Sequence, residues 1–211
     1  MNAGPVSERV YDTLRRLILE HGFRPGDKLD PNLLAEHLSA SITPVREALN
    51  VLTGEQLVET HRAGGYYIPA LDEPTLKDMY AWANQIAALA LRLWRPWCTI
   101  DWDRIEDKKT AYADRVADVM SGTTRGSVNG EHGRAMTLLN ARLHAVRVVE
   151  STVFPDGLEE LVALELALDS GDRDTLRRGL NAYHRRRVRS AASLVRASYR
   201  SAAPGAPTIG L

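Results

Sequence analysis

Leu34-Ala35-Glu36-His37-Leu38, followed two residues later by Ser41-Ile42-Thr43-Pro44-Val45-Arg46-Glu47-Ala48-Leu49, is the stretch on which the fold of this 211-residue chain turns. Leu33, Leu34, Ala35 and Leu38 repeat at helical spacing behind Asp30, a good N-cap, and Pro31, which suits a first helical turn. After the link 39–42, Thr43 is placed to cap a further helix with Pro44 at its first position. Val45, Ala48, Leu49 and Leu52 then form the buried stripe, and Gly54 ends the pattern. Thr43, Arg46, Glu47 and Asn50 fall off that stripe, so the helix buries one face and presents donors and acceptors on the other.

Working outward, Val6, Val10, Leu14, Ile18 and Leu19 mark a helix from Val6 to His21, stopped by Gly22 and Pro25-Gly26. Downstream, Leu57-Val58-Glu59-Thr60, Arg62-Ala63-Gly64-Gly65 and Tyr66-Tyr67-Ile68 read as strand, glycine turn and strand. Helix-helix-helix-hairpin is the order of a winged helix-turn-helix. Leu71-Asp72-Glu73-Pro74 reads as a hinge, and everything beyond it as helix, near 73–95, 102–121, 131–151, 156–169 and 172–199. The expected fold is mainly α: a winged helix-turn-helix with a small β-hairpin wing over 1–71, an all-α bundle over 72–201, and a disordered Pro/Gly/Ala tail over 202–211.

Composition narrows the function classes. Basic and acidic side chains number 27 each, so any surface for a polyanion must be local. Cys98 is the single cysteine, which excludes an internal disulfide framework and a multi-cysteine zinc site. The opening residues carry acids where a signal peptide needs an apolar core, and no apolar stretch is long enough to span a bilayer. A cytoplasmic protein without a membrane partner is expected.

The string from Leu34 to Leu49, with Phe23-Arg24-Pro25-Gly26-Asp27-Lys28-Leu29 before it, resembles the GntR family of regulators over residues 6–70. With a helical domain behind it, the chain is similar to the FadR-type branch with an FCD-type effector domain. The resemblance implies a ligand-responsive transcription regulator, acting as a repressor, that binds a palindromic double-stranded operator as a homodimer and answers to a small effector such as an organic acid. An isolated Arg-Glu pair on a helix reads as a solvated face; within the whole string it reads as a recognition helix. Arg46 suits a guanine edge or a phosphate, Ser41 and Thr43 a phosphate at the helix start, and Asn50 an adenine edge, with Glu47 orienting Arg46. In the wing, His61 and Arg62 precede Gly64-Gly65, where bare backbone can approach the minor groove. Two departures reduce positive charge: Ile42 and Asn32 stand where the family has basic residues, and residues 1–71 hold seven basic against nine acidic side chains.

Relatives that hold a divalent metal (Zn, Ni or Mn) use an Asp, a His four residues on, and two later His. Here Asn140 and His144 occupy the first pair, Leu161 falls at the second His, and His184 at the third. An amide is a poor substitute for a carboxylate, so a degenerate site of Asn140, His144 and His184 is expected to hold less than stoichiometric metal, and no cofactor is assigned with certainty. Ala83 and Ala87 replace the Arg and Glu that relatives place on the first effector helix. Trp82, Trp94, Trp97 and Trp102 read as packing residues. The arginines from Arg173 to Arg200 form the most basic segment, read as a solvated face, an anion-binding wall or a partner surface.

Two other classes fit fewer residues: a dimeric helical adaptor that has lost DNA binding, and a metal-dependent hydrolase or lyase using His144 and His184. No nucleophile elbow, phosphate-binding glycine loop or His-Glu-x-x-His spacing supports the second.

Overall fold

Three helices at the N-terminus bury the stripes that the spacing assigns to them. In the computed structural model, which describes residues 5–20, 22–94 and 111–200, α1 (Pro5–Leu19) turns Val10, Leu14 and Ile18 inward against α3 (Ile42–Gly54), whose Val45, Leu49 and Leu52 are fully buried. Val6, counted with the apolar set, is instead exposed. Between them α2 (Pro31–His37) starts behind Asp30, whose carboxylate accepts the Asn32 N–H at 2.8 Å, and contributes Leu34 and Ala35 to the core.

The hairpin of β2 (Glu59–Thr60) and β3 (Tyr66–Tyr67) is shorter than its apolar signal, and a third strand joins it. β1 (Lys28–Leu29) pairs antiparallel with β3 in the order β1-β3-β2, with Leu29 opposite Tyr66. Leu57 and Val58 are buried but lie in the turn leaving α3, where both N–H groups return to the Leu52 carbonyl and so are lost to the ladder.

Residues up to Leu71, with the end of the last helix from Ser198, form one compact unit, and Asp72–Ala197 form the other. The second unit is all helix: α4 (Glu73–Arg92), α5 (Tyr112–Arg125), α6 (Gly130–Val153), α7 (Gly157–Asp169), α8 (Arg173–Arg189) and most of α9 (Ala191–Arg200). α4 packs on α6 and α8, α5 on α6 and α7, and α7 on α8. Two boundaries differ from the sequence pattern. α5 runs on to Arg125 where a loop was expected from Ser121, with the buried hydroxyls of Thr123 and Thr124 donating to carbonyls one turn earlier. The long last helix divides at Ser190, whose N–H is shared between the Arg186 and Arg187 carbonyls. Trp94 lies against Gly126, where any Cβ would collide with the indole. Trp82 is exposed rather than packed, while Trp97, Cys98, Trp102, His21 and the tail 202–211 lie outside the described residues. Among the described residues no helix is long and apolar enough to cross a membrane.

Candidate DNA interface and buried polar core

α3 begins one residue before the expected cap. Ser41 is its N-cap, in extended conformation with no side-chain cap bond, so Thr43 lies inside the first turn and does not cap. Pro44 is therefore third in the helix, where the missing N–H removes no bond because first-turn amides have no helical acceptor. Ser41, Thr43, Arg46, Glu47 and Asn50 are all exposed. Glu47 does not orient Arg46: consecutive side chains diverge on a helix, and its carboxylate accepts the Ser7 hydroxyl of α1 at 3.0 Å. Arg46 has no ion-pair partner among the described residues. Asn50 is aimed by a residue that the spacing did not single out, since the Tyr66 hydroxyl donates to its Oδ1 at 2.8 Å. That fixes the amide with Nδ2 as the outward donor and leaves one Oδ1 lone pair, the pattern adenine requires.

In the wing, His61 stacks on Tyr67 with ring centroids 4.0 Å apart and pairs with Glu59 at 3.0 Å, so it stiffens the hairpin rather than reaching outward. Arg62 is exposed at the turn. Gly64 and Gly65 have φ of 85° and 90°, a left-handed backbone that makes the turn, and a Cβ on Gly65 would press on the Tyr67 ring at 3.2 Å.

The helical unit gathers its polar residues differently from the expected site. Asn140 is buried and bonded at both ends of its amide: Nδ2 donates to Ala117 O and Ser121 Oγ, and Oδ1 accepts from Arg147 Nη1 at 2.9 Å. His144 Nδ1 stands 3.7 Å from Asp114 Oδ1. His184 is buried with Nδ1 2.6 Å from the Leu180 carbonyl, and burial, with Arg147 and Arg187 adding to it, drives its pKa down to about 3. Leu161 and Ala83 are core residues with no exposure. Among the described residues no three His, Cys, Asp or Glu side chains come together as a metal site. The residues also do not fit a divalent ion chemically, because a guanidinium already occupies the oxygen that Asn140 would offer and places positive charge where the metal would sit.

What the structure does bring together is Glu150 of α6, which accepts from Tyr80 at 2.6 Å, Tyr112 at 2.9 Å, Tyr183, and Arg187 Nη2 at 2.9 Å. Arg187 is fully buried, also pairs with Glu160, and lies 3.5 Å above the Tyr183 ring. It is thus not part of the solvated basic face. Burial and the nearby Glu150 carboxylate push the hydroxyl pKa values of Tyr80 and Tyr183 well up, so both remain donors. Nothing in the linear spacing of residues 80, 112, 147, 150, 183 and 187 marks this cluster, since four helices contribute to it.

A buried three-helix core carrying an exposed recognition face and a three-stranded wing is a winged helix-turn-helix of the DNA-binding class. Residues 6–68 match the model of bacterial regulatory proteins of the gntR family, and the N-terminal unit of the chain is similar to that family. Over 77 residues it is 36% identical to the Nta operon transcriptional regulator of Aminobacter aminovorans, and over 80 residues 35% identical to the HTH-type transcriptional repressor GlaR of Escherichia coli. These matches cover 36% and 37% of this chain, and the chain spans only 37% and 36% of those relatives' lengths. In fold, a Rhodococcus sp. RHA1 protein described as a transcriptional regulator GntR superposes with a TM-score of 0.71 at 17% identity, over 89% of this chain and 97% of that one.

Proposed function

We propose that this chain is a cytoplasmic, ligand-responsive transcriptional repressor that binds a palindromic double-stranded operator as a homodimer, its helical unit serving as dimerisation and sensing domain for an organic acid. The observation that carries the reading is the face of α3, where Arg46 and an Asn50 held by Tyr66 stand exposed over a fully buried stripe. Such a helix in the major groove reads bases through Arg46 and Asn50, while Ser41, Thr43 and the wing at Arg62 to Gly65 hold phosphate and sugar. Two copies on a two-fold axis double the few base pairs one module reads. Selection of bound sequences from random DNA, repeated with candidate organic acids, tests it. A palindromic motif released by an acid is expected, and failure to enrich any sequence would favour a helical adaptor instead.

A further inference from the structure

An asparagine standing free on a helix surface is a poor reader of bases. Its amide turns readily about its last torsion, and its two ends take different partners: Nδ2 donates to thymine O4 or to guanine N7 and O6, while Oδ1 accepts from cytosine N4. Adenine is favoured over the rest only when both ends are presented together in a fixed order, Oδ1 to N6 and Nδ2 to N7. Asn50 is exposed on α3, but its amide is not free. The Tyr66 hydroxyl donates to its Oδ1 at 2.8 Å from 16 residues away in the chain. Tyr66 is itself held, half-buried on the central strand β3, with Leu29 of β1 on one side and Thr60 of β2 on the other. Successive strand side chains point to opposite faces, and Tyr67 takes the other face, where it stacks on His61. A hydroxyl has one proton, and Tyr66 commits its own to Asn50, so in this arrangement it has none to give a phosphate.

We propose, resting on the reading of α3 as a recognition helix, that Tyr66 is a positioning residue for base choice: held by the wing sheet, it fixes the Asn50 amide so that adenine is accepted at one position of each half-site. Guanine is refused there because its O6 and N7 both accept, which sets O6 against Oδ1. Thymine offers one acceptor and a methyl group, and cytosine a donor without the acceptor beside it. A freely turning amide evades these mismatches by offering Nδ2 or Oδ1 alone. One held by Tyr66 does not, and it also has less motion to lose when DNA binds. The wing thereby selects a base in the major groove that no wing residue touches.

The test uses the full chain with a random double-stranded DNA library, then competition gel shifts on the enriched duplex with each base in turn at every position. Wild type is expected to show an adenine position in each half-site at which other bases bind about 5- to 150-fold more weakly, the worth of one bidentate pair. Asn50→Ala is expected to lose the preference at that position, and 7-deazaadenine placed there, which lacks N7, to weaken wild type about fivefold. Tyr66→Phe keeps the ring and is expected to lower the same preference about fivefold, the worth of one net hydrogen bond. Guanine and thymine gain most, while the other positions and the salt slope stay unchanged because no phosphate contact is lost. In an Asn50→Ala background Tyr66→Phe is expected to change nothing further, since it acts only through that amide. An unaltered preference in Tyr66→Phe, an equal weakening of all sequences, or the same loss in the Asn50→Ala background would overturn the positioning role while leaving DNA binding in place. A wild-type chain that enriches no sequence refutes the DNA-binding reading itself, and the positioning role with it.

Discussion

Under the proposed reading Arg46 carries the charged DNA contact of α3 alone, since Ile42 and Asn32 offer no charge and Glu47 is tied to Ser7. Arg46→Ala is expected to weaken operator binding by about 1–3 kcal/mol and to relax the preference at one base pair if it grips a base edge. A uniform loss across sequences, with the salt slope smaller by about one, means that it grips phosphate. Gel shifts at several salt concentrations separate the two, and unchanged binding at all of them refutes the recognition face. His184 is informative through pH. Its ring is held at about 3 by burial, with Arg147 and Arg187 opposing its charge, against an unfolded value of 6.5. Between those values the unfolded chain binds a proton that the folded chain refuses, so stability falls as pH drops through that window, by up to about 1.4 kcal/mol per unit. Urea unfolding at pH 6.5, 5.5 and 4.5 is expected to show a shallower acid dependence, by about one proton, in His184→Phe. Equal slopes would place the imidazole outside the core.

At the scale of elements, the Glu150–Arg187 pair bridges α6 and α8, and both its ends have no exposure. Removing one end of such a pair strands the other, so Arg187→Met is expected to cost roughly 3–5 kcal/mol in urea unfolding. Arg187→Met combined with Glu150→Gln is expected to cost less than the two singles together, because the stranded charge disappears. Additive losses would show that the pair does not act as a unit. The elements also show where spacing misleads. Arg187 sits among Arg185, Arg186 and Arg189 in a run that reads as a solvated face, but it points inward to Glu150 while Arg185 and Arg189 stay exposed. β1 escapes notice because a two-residue strand has no periodicity to detect, and it exists only because β3 offers Tyr66 and Tyr67 as partners.

At the scale of the molecule, Leu158, Val162 and Leu166 form a stripe along α7, exposed by 53%, 39% and 63%. Under the proposed two-fold reading of an operator, a second copy is the occupant expected there, because three exposed aliphatic side chains at i, i+4 and i+8 match their own symmetry mate on a two-fold axis. Leu158→Glu with Leu166→Glu is expected to shift sedimentation of the full chain from dimer to monomer at micromolar concentration and to weaken operator binding in parallel, because like charges then face each other across the axis. A dimer unaffected by both changes would move the interface elsewhere.

The helices, the wing and the recognition face follow from local properties: apolar residues at helical spacing, Asp30 with Pro31 at a helix start, and glycines where φ must be positive. Those properties act within a few residues of one another, so Arg46 and Asn50 could be picked from the string that holds them. The string could not say that Tyr66 aims Asn50 or that Ser7 takes Glu47, since those partners arrive from 16 and 40 residues away. In the helical unit the balance reverses. The pattern Asn140, His144 and His184 points to a worn metal site, but which atoms are spent depends on what four packed helices bring alongside. Only the tertiary structure decided that Asn140 holds Arg147 and that Glu150 takes Arg187 and three tyrosine hydroxyls, because burial and pairing arise from contacts between distant residues and leave no period in the chain.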